Sequence, residues 1–155
     1  MESTLFRLLE VNRERTLELI DSTDPALLQV IPDGFNNNLH WHIGHILTTQ
    51  ERLAFRFIGE KLELEESLMN CFVNGTKPAD WTEGVPEVSQ LIPLLREQPG
   101  RIRSRLAGKL NQSITIPFKD FTTLSEVLLF SLSHEGLHQG YMMALRRAVS
   151  VTVRE

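Results

Sequence analysis

The segment from Leu124 to Arg147 constrains the fold of this chain more than any other. Thr123 followed three residues later by Glu126 has the pattern of a capping box, which starts a helix at Leu124. Arg146 and Arg147 stand at its far end, where cations complement the exposed carbonyls. Between these ends, Leu128, Leu129, Leu132, Leu137, Met143 and Leu145 make it apolar on nearly every side. Such a helix is expected to be enclosed by protein rather than half exposed, so it requires other helices around it. Glu126, Glu135, His134 and His138 make the same stretch too polar for a lipid-exposed span.

Three further helical patterns precede it. From Thr4 to Asp21, Leu5, Leu8, Leu9, Thr16, Leu19 and Ile20 recur at helical spacing, with Arg7, Arg13, Glu14 and Glu18 assigned to the wet face. Asp24-Pro25 and Pro32-Asp33-Gly34 break the periodicity, and Asn36, Asn37 and Asn38 offer N-caps for a second helix reaching about Gly59. In that helix Trp41 and His45 form a stripe with Thr49 close by, separate from the stripe of Leu39, Ile43, Ile46 and Leu47. The stretch from Lys61 to Pro86 reads as a long crossover containing a short helix, which lets the second and third long helices run parallel. The third takes Ser89 as its cap and continues through Leu110, with a kink or break expected at Pro99-Gly100. Thr115 to Phe118 is the only run that could be extended. The expected fold is therefore all-α, a four-helix bundle in one domain spanning residues 1–155.

Composition narrows the function. A net charge of -4 gives no phosphate-neutralising surface, so nucleic acid is an unexpected partner. Cys71 is the only cysteine, which excludes an internal disulfide and, with no signal-like opening segment, leads to an expected cytoplasmic location. A lone cysteine of this kind is more often a small buried hydrophobe than a nucleophile.

All five histidines fall in two windows: His40, His42 and His45 in one, His134 and His138 in the other, about ninety residues later. His134 and His138 lie one helical turn apart on one face, close enough to hold one ion, although core histidines satisfied by hydrogen bonds share the same spacing. The segment also reads H-E-x-x-H, the zinc-protease pattern with glutamate as general base. Such a protease needs a third downstream ligand, and after His138 the only carboxylate is Glu155. Glu135 is thus either a general base beside an ion or a polar residue at a helix contact. Tyr141 shares the stripe of His134 and Leu145, which can turn its hydroxyl toward the site or its ring into the core. His42 reads as a supporting or structural histidine or, three residues from His45, as a substitute ligand, His40 as a solvated first-turn residue, and Gly136 with Gly140 as a place of close helix approach.

Two segments carry a family resemblance. Asn37-Asn38-Leu39-His40-Trp41-His42-Ile43-Gly44-His45-Ile46-Leu47 resembles the W-x-x-G-H-hydrophobic segment of the DinB family (DinB/YfiT-like metalloenzymes), and His134-Glu135-Gly136-Leu137-His138-Gln139-Gly140 its H-x-x-x-H-x-G segment. The resemblance implies a four-helix bundle with the crossover already expected and a divalent ion on His45, His134 and His138. Nickel or zinc suits three imidazoles, which leave positions open for water or substrate. Relatives of this kind include thiol-dependent S-transferases, implying a small-molecule substrate and a low-molecular-weight thiol. A metal-assisted hydrolase with Glu135 as base and a non-enzymatic metal-binding stress-response protein are the alternatives. Relatives often pair through bundle faces, which implies a homodimer.

Overall fold

The computed structural model of the chain describes residues 2–152, and Glu155 lies outside them. The long helices are α1 (Glu2–Asp21), α2 (Leu39–Phe55), α4 (Val88–Leu106) and α5 (Leu124–Thr152), with the short α3 (Glu66–Cys71) inside the crossover. Among the described residues the only bridge of extended type joins Ser113 to Thr123, so the fold is all-α. No described helix is long and apolar enough to cross a membrane.

α1 and α2 each pack on both α4 and α5, whereas α1 with α2 and α4 with α5 make no comparable contact. Side-chain pairs fix the directions. His40 meets Pro86 and Glu51 meets Arg101, so α2 and α4 run parallel, as the length of the crossover requires. Asn12 meets Leu132 and Arg146 meets Ser22, so α1 and α5 are parallel too, and antiparallel to the other pair.

α2 is the central element, because nearly every residue from Leu39 to Phe55 is buried. The side chain of Asn38 caps it by accepting from the backbone N–H of Trp41 at 2.9 Å. At the start of α5, the Glu126 carboxylate accepts from the backbone N–H groups of Thr122 and Thr123, both at 2.8 Å. α4 begins differently from expectation: Glu87 is its cap, in a reciprocal box with Gln90, and Ser89 lies inside the helix.

Four further expectations are corrected. Pro99 does not break α4. Proline withholds a hydrogen bond from the carbonyl four residues earlier, here Leu95, and that oxygen instead accepts from Arg13 Nη1 at 2.9 Å. Arg13, assigned to the wet face, is 1% exposed, because it continues the buried line of Leu5, Leu9, Thr16 and Ile20. α5 is not enclosed on all sides, since Leu129, Leu137 and Met143 are more than half exposed. Gly136 and Gly140 have no neighbour within 4 Å of a Cβ built on them, so they serve no close approach within the chain.

Arg13 joins all four long helices. Its guanidinium donates to both oxygens of Glu135 on α5, to Gln50 on α2 and to Gln98 on α4. With Glu135 also 1% exposed, removing one partner strands a buried charge, at a cost of about 3–5 kcal/mol. Arg13→Met is expected to lower unfolding free energy by about that amount in urea titrations, and Arg13→Met combined with Glu135→Leu by less than Arg13→Met alone.

Candidate metal centre

The two histidine windows meet where α2 crosses α5. His45 Nε2 and His138 Nε2 each lie 3.2 Å from His134 Nε2, and the candidate ligand atoms of the three residues all fall within 4.8 Å of one another. Three ligands at about 2.0–2.1 Å from one tetrahedral ion stand about 3.3–3.4 Å apart. The donor set and its spacing therefore fit a divalent ion that prefers nitrogen.

The ring states are set by neighbours. His45 Nδ1 lies 2.7 Å from the carbonyl oxygen of Phe72, which can only accept, so Nδ1 carries the proton and Nε2 presents its lone pair. Trp41 stacks on the same ring at 4.5 Å and 12°. Its indole N–H donates to Thr76 Oγ1 at 2.9 Å, tying α2 to the crossover. Thr49 Oγ1 stands 3.4 Å from His45 Nε2.

Gly44 is the close-approach glycine of the site. A Cβ there would lie 2.4 Å from the Phe72 ring, so only glycine lets that ring, and with it the Phe72 carbonyl, settle against α2.

His42 and His138 face each other through their Nδ1 atoms at 2.8 Å, which orients the His138 ring from behind. His42 Nε2 is buried without a hydrogen-bond partner among the described residues. His40 is corrected from solvated to buried, 3% exposed, with Nε2 donating to the carbonyl of Pro86 at 2.8 Å.

Burial dominates the electrostatics. It pushes His134 down to about 4, aided by His45, and His138 down to about 3, aided by His134, His45 and His42. The same desolvation lowers His42 to about 4 and lowers His45, with the charge of Arg52 adding to the effect. At neutral pH these imidazoles are uncharged, the state in which they bind a metal without displacing protons.

Glu135 and Tyr141 are not brought to this cluster. Glu135 turns to α1, where Thr16 Oγ1 donates at 2.6 Å and Arg13 Nε at 2.8 Å to the same carboxylate oxygen. This is a helix contact, one of the two roles open to it in the sequence. Tyr141 is 45% exposed, with its ring centroid 4.8 Å from that of His42 and 5.8 Å from that of Phe35. Cys71 is half-buried, its thiol donates to the Ser67 carbonyl, and desolvation pushes it up, away from thiolate character.

The three histidines form part of the wall of a cavity of about 670 Å³. Its other lining includes Arg52 and Arg56 from the end of α2, Phe130 from α5, and Ile116, Phe118 and Lys119 from the loop before α5. The only signal for these in the sequence was the continuation of the His45 and Thr49 stripe to residues 52 and 56, and the loop carried none.

Fold and site together define a helical-bundle protein with three convergent imidazoles beside a cavity. The chain belongs to the DinB superfamily, whose family model matches residues 8–142. It is similar to a solved conserved protein from Enterococcus faecalis, at 17% identity over 96% of each chain with a TM-score of 0.69, a likeness of fold alone. No curated protein matches the sequence.

Gly44→Ala is expected to cost about 1–3 kcal/mol in chemical unfolding, as for overpacked cores. The same variant should weaken zinc binding in calorimetry, because displacing Phe72 frees the His45 ring.

Proposed function

We propose that this protein is a divalent-metal-dependent enzyme acting on a small molecule, a thiol S-transferase in class, with His45, His134 and His138 as the metal ligands. The observation that carries the proposal is the convergence of three neutral Nε2 atoms at the wall of a cavity large enough for a substrate. Zinc or nickel bound there would act as a Lewis acid and lower the pKa of a thiol toward neutrality. The protein's own contribution is to hold the three imidazoles neutral and oriented through Phe72 and His42, and to leave the cavity side open.

The placement of Glu135 favours the transferase over the hydrolase. A hydrolase of the H-E-x-x-H type needs that carboxylate free to take a proton from water, and here it is committed to Arg13 and Thr16. A thiol that the ion holds deprotonated needs no such base. The adjoining cavity likewise favours a catalytic over a structural ion, since a structural site is closed by a fourth protein ligand.

The test is metal titration of chelator-stripped protein, followed by turnover assays with low-molecular-weight thiols and electrophilic acceptors. The unmutated protein is expected to bind one zinc or nickel ion and gain thiol-dependent activity. His134→Ala should lose both while keeping its helical circular dichroism, because the apolar faces hold the bundle together. Unfolding on chelation would support the metal-stabilised stress-response reading instead, and metal binding without thiol turnover would remove the transferase.

We also propose that two copies pair through α5. The outward face presents Leu129 at 54%, Leu137 at 71% and Met143 at 53% exposure, with Gly136 and Gly140 open between them. Bare glycine backbone flanked by large apolar side chains suits a second helix. Leu137→Glu is expected to convert a dimer to a monomer in light scattering without loss of helix, and a monomeric unmutated protein would overturn the pairing.

A further inference from the structure

We propose that the cavity beside His45, His134 and His138 takes a small molecule with an anionic group on an apolar or aromatic body, the anion being held by Arg52, Arg56 and Lys119. The proposal builds on the metal reading for where the reactive end lies, whereas the anion contact itself requires no ion.

The cavity lining holds these three cations and no carboxylate. This local excess of positive charge stands against a net charge of -4 for the chain. Among the described residues, Arg52, Arg56 and Lys119 have no carboxylate within ion-pair distance. Arg52 donates only to the Met69 carbonyl, at 3.1 Å, and the nearby Arg56 charge opposes its own. Cations gathered without counter-charge beside a cavity are the arrangement that attracts an anionic ligand.

Helix geometry sets the spacing. His45, Thr49, Arg52 and Arg56 follow one another at steps of four, three and four residues along one face of α2 and the turn after it. At about 1.5 Å rise per residue, Arg52 lies about 10 Å and Arg56 about 16 Å beyond His45 along the axis. Both side chains line the same cavity as the three histidines. The facing wall is aromatic: the Phe118 ring lies 4.8 Å from Phe57 and 5.3 Å from Phe130. Lys119 Nζ sits 5.1 Å from the centroid of Phe130, and its backbone is held at φ 50°, a left-handed conformation unfavourable for lysine. A ligand fitted to this space lays its apolar body on the phenylalanines, meets the guanidinium forks with its anion, and directs its other end to the histidines.

The test is isothermal titration calorimetry of 3-phenylpropionate, its neutral amide and acetate against chelator-stripped and zinc-loaded protein. The same titrations are run on the double variant Arg56→Gln, Lys119→Gln, in which both replaced side chains are exposed. Phenylpropionate is expected to bind both forms of the unmutated protein at least about tenfold more tightly than the amide or acetate, the double variant keeping less than about threefold of its preference over the amide. Equal binding of the amide, equal binding of acetate, an undiminished preference in the folded double variant, or no binding of any probe would overturn the proposal. So would a preference seen only with zinc, since the carboxylate would then be meeting the ion. Phenylpropionate binding to stripped protein that takes up no zinc would overturn the metal reading and support this one.

Discussion

A single buried guanidinium holds the register of this bundle. Arg13 contributes from α1, and its partners Gln50, Gln98 and Glu135 come from α2, α4 and α5. A charge this deeply buried tolerates only small shifts of any helix, because each lost hydrogen bond leaves a polar group unsolvated. The network extends outward from Gln98, whose amide donates to the Leu47 carbonyl and to Glu51, and Glu51 in turn pairs with Arg101 at 2.6 Å. Pro99 belongs to the same device, for by omitting its own hydrogen bond it leaves the Leu95 carbonyl to Arg13. Apolar packing supplies most of the stability of such a bundle, while these directional contacts select one arrangement of its faces.

The segment from His40 to His45 shows how one helix can satisfy several partners. His40 points to the crossover and bonds Pro86, Trp41 flanks the His45 ring, His42 backs His138, and Gly44 admits Phe72. Successive residues turn about 100° around a helix, so six in a row address every side of a buried one. That is possible only because α2 is enclosed by α4, α5 and the crossover.

What the sequence revealed follows from this division. The four long helices and the parallel α2–α4 pair were legible from apolar spacing and crossover length, and the meeting of His45 with His134 and His138 from the family-like motifs. Arg13 was misread because a charged side chain counts as solvated in any periodicity argument, although its position continues the line of Leu5, Leu9 and Thr16. His40 was misread for a similar reason: its burial depends on Pro86, a residue of the crossover whose path no local pattern describes. The cavity wall from Ile116 to Lys119 was invisible, since loop conformation depends on long-range contacts such as the Thr115 N–H to Phe57 carbonyl bond at 2.7 Å. The enclosure expected of α5 failed because hydrophobicity alone does not distinguish a face packed within the chain from one left open.

The H-E-x-x-H segment shows why a motif needs its surroundings to have meaning. His134 and His138 share a face of α5, and Glu135 lies about 100° around the helix from His134. In a protease of that pattern the glutamate is free to act beside the ion. Here α1 packs against that side of α5 and offers Arg13 and Thr16, which hold the carboxylate at 2.8 and 2.6 Å. Releasing it for proton transfer would break a buried ion pair, at a cost of several kcal/mol. The same three letters therefore carry two unrelated tasks on two faces: the histidines converge with His45 at the cavity, and the glutamate fixes the rotation of α5 that lets them do so. Anchoring Glu135 to α1 limits how far α5 can turn about its axis, and a turn of even 20° would swing the imidazole nitrogens by more than an ångström at side-chain radius, about 5–6 Å from the axis. The carboxylate thus serves the site from behind, through the direction it gives its neighbour.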